Sequence, residues 1–148
     1  MTDNWTPWIP LNIPRANHAC TDVKDKSGKI EKIMVAGGIG NMNAESPLDN
    51  TEIYIPKHTS WKMGSSLPQP TTGASLVHVE KPLPSRILLI GGCQYNPNGK
   101  RESDCSEVYA LNENSSNWIN IGKLKKSRID SVSLLIAKDV DLQCKNTI

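Results

Sequence analysis

Short apolar runs punctuated by turn residues organise this chain, with no sustained helical stripe. The run IMVA leads into Gly37-Gly38, and ILLI leads into Gly91-Gly92. Continuous β-branched and Leu-rich runs of this length suit strands covered on both faces. Over 51–55 the pattern alternates instead, placing Glu52 and Tyr54 on one face and Ile53 and Ile55 on the other. Turn chemistry falls at Lys26-Ser27-Gly28, at Asn96-Pro97-Asn98-Gly99 and over 112–117. Only 134–142 reads equally as strand or helix. The chain is therefore expected to be all-β.

The pattern also repeats. The two glycine doublets lie 54 residues apart, and TEIY and SEVY end at Tyr54 and Tyr109, 55 apart. Trp8, Trp61 and Trp118 follow at 53 and 57, with Leu67 and Leu124 each six residues beyond their Trp. Arg15, Thr71 and Arg128 hold matching turn positions, 56 and 57 apart. Phe is absent, so five of the seven aromatic residues fall on the repeat. An ordered series of this kind outweighs any single match. Each unit reads as four strands, a to d. Strand a is predicted at 18–23, 74–79 and 131–137, and strand b at 33–36 and 87–90. Strand c is predicted at 51–55 and 107–111, and strand d at 61–63 and 118–121, with a stray d at 8–11.

Glycine weakens a strand interior, so its use must lie in close approach or unusual dihedrals. The expectation is that Gly37, Gly38, Gly91 and Gly92 leave hollows that the indoles of Trp61 and Trp118 and the phenols of Tyr54 and Tyr109 fill. Burying each such ring contributes on the order of 2–3 kcal/mol.

An apolar run ending in Gly-Gly, a Tyr about 16 residues on and a Trp some 7–9 later resembles the Kelch repeat. The Ile13-Pro14-Arg15 turn before strand a is similar to that family as well, whereas Thr71 stands where Arg is usual. The resemblance implies an incomplete Kelch-type β-propeller: two four-stranded antiparallel blades plus flanking single strands. Residues 1–14 would be part of a preceding blade, 15–70 the first blade, 71–125 the second, and 126–148 a partial third with a tail. Propellers take about four to eight blades, so two cannot close a ring. A fragment or truncated form is expected, with self-association possible through open edges.

Antiparallel order puts the b–c loops, 39–50 and 93–106, beside the d–a turns on one rim. The resemblance implies that this rim holds a protein partner. The expected contact residues are Arg15, Asn41, Asn43, Glu45, Tyr95, Asn96, Arg101 and Arg128, the two arginines as carboxylate clamps. A ubiquitin-ligase substrate receptor or a cytoskeletal partner is the implied role. The alternatives are a propeller enzyme of the copper-oxidase or sugar-modifying type, or a truncated product with no activity of its own.

Composition narrows this further. Seventeen basic against fifteen acidic residues give +2, too little to drive nucleic-acid or anionic-membrane binding. No run of 18 apolar residues suggests a membrane helix. His18, His58 and His78 are scattered, no nucleophile motif is present, and the recurrent Asp49/Glu52 and Asp104/Glu107 pairs suggest architecture. Neither catalysis, cofactor nor metal is expected. The first ten residues lack the order of a secretory signal, so a cytoplasmic location with reduced thiols is expected. Cys93 and Cys105 bracket a polar loop and could pair in an oxidising compartment.

Overall fold

The computed structural model describes residues 4–41, 46–80, 86–94, 100, 104–112 and 116–135. Twelve strands fall within them: β1 Ala19–Lys24, β2 Ile30–Ala36, β3 Ile39–Asn41, β4 Ser46–Pro47, β5 Thr51–Tyr54, β6 Lys62–Met63, β7 Thr71–Thr72, β8 Ser75–Val79, β9 Arg86–Ile90, β10 Cys93–Gln94, β11 Glu107–Asn112 and β12 Trp118–Lys123. Two antiparallel four-stranded sheets result, ordered β1-β2-β5-β6 and β12-β11-β9-β8. The strand pairs β3–β4 and β10–β7 are separate small ladders. This is the all-β, two-blade arrangement that the repeat implied, and no helix occurs among the described residues.

The core lies between the blades. Ala19, Val23, Met34 and Ala36 of the first meet Leu76, Ile87, Leu89, Tyr109, Leu111 and Trp118 of the second, with Leu67 joining them. Strand β2 becomes covered towards its end, where Met34, Val35 and Ala36 are all buried. Strand β9 is covered on one face only. Ile87 and Leu89 are buried, whereas Leu88 and Ile90 stay half-exposed.

Backbone bonds join each unit to the turn that leaves it, and they recur. Gly38 N–H donates to the Thr71 carbonyl and Gly92 N–H to the Arg128 carbonyl, both at 2.8 Å. Thr71 N–H returns to the Leu48 carbonyl at 3.0 Å, and Arg128 N–H to the Cys105 carbonyl at 2.9 Å. Leu67 N–H reaches Asp49 and Leu124 N–H reaches Ser106 in the same manner. The next turn then binds the last: Gly73 N–H to the Asn17 carbonyl, and Asp130 N–H to the Gly73 carbonyl. The indoles join in, Trp61 Nε1 donating to the Ile9 carbonyl at 3.1 Å and Trp118 Nε1 to Ser65 at 3.2 Å.

This pattern corrects the role foreseen for the glycines. A side chain on Gly37 would strike the Thr71 carbonyl oxygen, and one on Gly91 would lie 2.6 Å from that of Arg128. On Gly38 it would meet the Ala16 carbonyl at 2.5 Å, and on Gly92 the Ala74 side chain at 2.6 Å. All four have positive φ, from 62° to 94°. The space they leave is filled by neighbouring chain, mostly backbone, and not by indoles. The doublets are needed so that the departing turn can come within hydrogen-bond range.

The pattern also corrects the alignment of TEIY with SEVY. Val35 lies opposite Glu52, and Leu89 lies opposite Tyr109. Glu52 pairs with Met63, and Tyr109 with Asn120. Tyr109 therefore stands in the place of Glu52, and Leu111 in that of Tyr54. The longer b–c span of the second blade shifts strand c by two residues against its sequence likeness. Consequently Asp104/Glu107 is no structural copy of Asp49/Glu52.

Both flanking single strands fail to form within the described residues. Trp8 is 74% exposed and 8–11 joins no sheet. Residues 131–135 join none either, and Val132 and Leu134 are exposed, while Ile136 and Ala137 lie outside the described residues. A strand a is held by its own strand b, as β1 is by β2, and among the described residues 131–135 has no such neighbour. Counting ten residues back from Arg15, Thr71 and Arg128 gives Trp5, Trp61 and Trp118. Trp5 is thus the repeat position, not Trp8, and it is fully exposed. Trp118 is buried, while Trp61 is half-buried with its ring centroid 5.5 Å from that of Tyr54.

Gly37→Ala combines positive φ with a backbone collision, whereas Gly28 has φ 82° and open space around it. Urea unfolding should show Gly28→Ala costing about 1 kcal/mol, the conformational strain alone. Gly37→Ala should cost roughly 3 kcal/mol or more. Equal losses would remove the close-approach explanation.

Candidate functional site

Sheet order and strand direction place the b–c connections and the d–a turns on one rim. The turn at 25–28 lies on the other, closed by Asp25 accepting N–H bonds from Ser27 and Lys29. The rim nearest the candidate contact residues is anchored by Arg15, and its side chain has no exposure. Arg15 Nη1 donates to the Gly37 carbonyl at 2.8 Å and the Asn50 carbonyl at 3.2 Å. Its Nη2 donates to Asn50 Oδ1 at 2.6 Å and Glu52 Oε1 at 2.7 Å. Glu52 is equally enclosed and also accepts from Asn12 N–H at 2.7 Å and Ile13 N–H at 3.1 Å. Arg15 is therefore not a free clamp for a ligand carboxylate, because Glu52 already occupies it.

Glu52 shows the balance directly. Burial opposes its ionisation, yet the N–H of Asn12, the Arg15 guanidinium and the N–H of Ile13 together hold its carboxyl below the ordinary value. The buried pair is no large net gain over an apolar one, but removing one member strands the other.

The second blade uses different chemistry in the same place. Thr71 replaces Arg15 and Tyr109 replaces Glu52, so both members of the pair change together. The Tyr109 hydroxyl accepts from Gln94 Nε2 at 2.8 Å, and Gln94 is itself buried. Glu107 sits outside this core. Its carboxylate bonds Lys123 Nζ at 2.7 Å and Asn120 Nδ2 at 2.6 Å. The hydrogen bond from Lys123 and, beyond a smaller opposing effect of burial, that from Asn120 hold it below its usual range.

The base of each b–c loop is closed by a different device. In the first blade Ile39 pairs with Pro47, and Leu48 N–H donates to the Gly38 carbonyl. In the second blade Cys93 and Cys105, at the positions of Ile39 and Leu48, are joined by a disulfide. The reduced pair expected for a cytosolic chain is thus not what the structure contains. Cys20 is a free, exposed thiol.

Arg128 is exposed, and its Nη1 donates only to the adjoining Ser127 carbonyl, at 3.0 Å. Asn41 ends β3 on the same rim. Asn43, Glu45, Tyr95, Asn96 and Arg101 lie outside the described residues. Among the described residues no cluster of three His, Cys, Asp or Glu could hold a metal, and no helix is long and apolar enough to cross a membrane. Sequence reasoning missed the Arg15–Glu52 enclosure and the Gln94–Tyr109 bond. The first was signalled by Glu52, a charged residue on the apolar-facing side of strand c. The second was hidden by the two-residue shift.

No family model matches this chain. Two curated proteins, both Kelch-like protein 7, from Rattus norvegicus and Mus musculus, are 39% identical to it over 67 residues. That stretch is 45% of this chain and 10% of those proteins, so the chain spans about a tenth of their length. Among solved structures, the chain titled "Structure of YjhT" superposes with TM-score 0.63 at 13% identity, covering 86% of this chain and 33% of that one. The two curated matches support a Kelch-like relationship, the superposition bears on the fold alone, and the chain has the fold of an incomplete propeller.

Arg15→Ala should destabilise by about 3–5 kcal/mol in chemical unfolding, since it leaves Glu52 enclosed without its cation. Because the folded carboxyl of Glu52 is held below the ordinary 4.5, its contribution is present above that value and lost as pH falls through the lower folded value. Glu52→Gln should therefore flatten the acid limb of the stability profile below about pH 4.5. An unchanged acid limb would show that Glu52 does not carry it.

Proposed function

We propose that this chain is a Kelch-type recognition module that binds a protein through the rim made by its b–c loops and d–a turns. The observation that carries this reading is the anchoring of both loops. Rigid sheets hold their bases, through Ile39, Pro47 and Leu48 in one blade and the Cys93–Cys105 disulfide in the other. Polar loops on a stiff scaffold suit recognition, since the scaffold fixes where the loops emerge while their sequence stays free. The 39% identical stretch shared with Kelch-like protein 7 supports a Kelch-type assignment.

The contact residues of this reading are Asn41, Asn43, Glu45, Tyr95, Asn96 and Arg101. Arg15 is excluded from them, being enclosed by Glu52 and Asn50. Service as a ubiquitin-ligase substrate receptor or a cytoskeletal partner, without catalysis, belongs to the same proposal.

A photo-crosslinking residue placed at Asn41, which ends β3 on this rim, should yield a discrete protein adduct in cells. The same residue at Lys26, on the opposite rim, should yield none. Adducts of equal yield from both positions, or from Lys26 alone, would defeat the assignment.

A further inference from the structure

The backbone of Arg128 is gripped from two sides. Its carbonyl accepts from Gly92 N–H at 2.8 Å, and its own N–H donates to the Cys105 carbonyl at 2.9 Å. The disulfide joins Cys105 to Cys93, the residue after Gly92, so one covalent bond ties the two sides of this grip together. Cys93 also pairs with Thr72, in the turn between the blades. Both cysteines are only 2% exposed. In the first blade Gly38 and Leu48 make the same grip on Thr71, at 2.8 and 3.0 Å, with no covalent bond across it.

Cys105 differs from Leu48 in a second way. Its φ is 62°, in the left-handed region, and Leu48 lies outside that region. Among the described residues other than glycine, Asn17 and Asp130 share it. Asparagine and aspartate visit this region readily, and cysteine does not. A residue kept there against its preference marks a segment whose conformation is imposed by its surroundings. At Cys105 the imposing bond is the one to Cys93. Without it, Cys105 is free to return to ordinary φ, and its carbonyl, the acceptor for Arg128 N–H, loses its fixed direction.

We propose that the Cys93–Cys105 pair is a redox switch on the junction at Arg128. Oxidised, the pair holds Cys105 left-handed and the grip closed. Reduced, Cys105 relaxes and the grip loosens, while the two sheets stay folded. The reductant is a dithiol. Its thiolate attacks one sulfur, the Cys93–Cys105 bond breaks, and the departing thiolate takes up a proton. The second thiol of the reductant then displaces the other cysteine. Two electrons and two protons pass to the pair, and the reductant leaves as a disulfide. Burial of both cysteines makes the exchange slow, so either state persists once set. The switch is independent of what the rim loops bind.

The full chain with Cys20→Ser and Cys144→Ser tests this without competing thiols. After treatment with glutathione disulfide the denatured protein should titrate no thiol, and after dithiothreitol it should titrate both. The reduced chain should still unfold cooperatively. Amide hydrogen exchange at Arg128 should quicken about tenfold or more on reduction, while Thr71 in the first blade changes by less than about twofold. Cys105→Ser should exchange at Arg128 as the reduced chain does. Cys105→Gly also lacks the disulfide, but glycine tolerates positive φ, so exchange there should stay near the oxidised rate. Failure of the pair to oxidise, loss of the fold on reduction, unchanged exchange at Arg128, or equal rates for the serine and glycine variants would each refute the proposal.

Discussion

The structure depends on the close approach of a departing turn to the glycine doublet of the blade it leaves. Peptide N–H and C=O groups enclosed without partners are costly, so a junction between blades must bond its own backbone. Here the doublet's second N–H and the turn's carbonyl meet at 2.8 Å in both blades. Only residues without a side chain tolerate that distance at positive φ. Once the turn is fixed there, strand d before it and strand a after it are fixed as well. The indole N–H groups of Trp61 and Trp118 then reach back to the preceding segment. The repeat in the sequence is therefore a record of junctions as much as of strands.

Side chains add selectivity to this backbone scheme. The junction into the first blade encloses an ion pair with four donated bonds from one guanidinium. The junction into the second encloses a hydroxyl and an amide in nearly the same space. Each solution pairs the groups that face one another, although Arg15 Nε is buried without a partner, and the halves are not exchangeable: arginine opposite tyrosine would be an unpaired buried cation. Each junction thus keeps its own set of polar partners above one shared apolar core.

Much of this was legible in the residues. The apolar runs, the doublets and the recurring Trp positions gave the strands and their order, and 87–90 and 107–111 match β9 and β11 within a residue or so. What failed did so for definite reasons. The shared letters of TEIY and SEVY concealed a shift of two, because register is set by strand pairing and not by resemblance. Trp8 drew notice as an aromatic near the expected spacing, although Trp5 keeps the interval to the turn. Arg15 looked available because a sequence shows a charge but not its enclosure. The apolar letters of 131–135 suggest a strand a, yet a strand also needs a ladder partner, and the described residues supply none there.

The two blades differ between strands b and c by three residues, yet Val35 opposite Glu52 and Leu89 opposite Tyr109 keep the same place in their b–c ladders. Gly37 N–H closes on the Asn50 carbonyl, and Gly91 N–H closes on the Glu107 carbonyl, across spans of different length. Insertions there are absorbed before the next ladder begins, so this edge can lengthen or shorten by descent while the wedge beneath keeps its geometry. Such a scaffold would let lineages diversify their outward-facing segments one at a time, without renegotiating the joints between sheets.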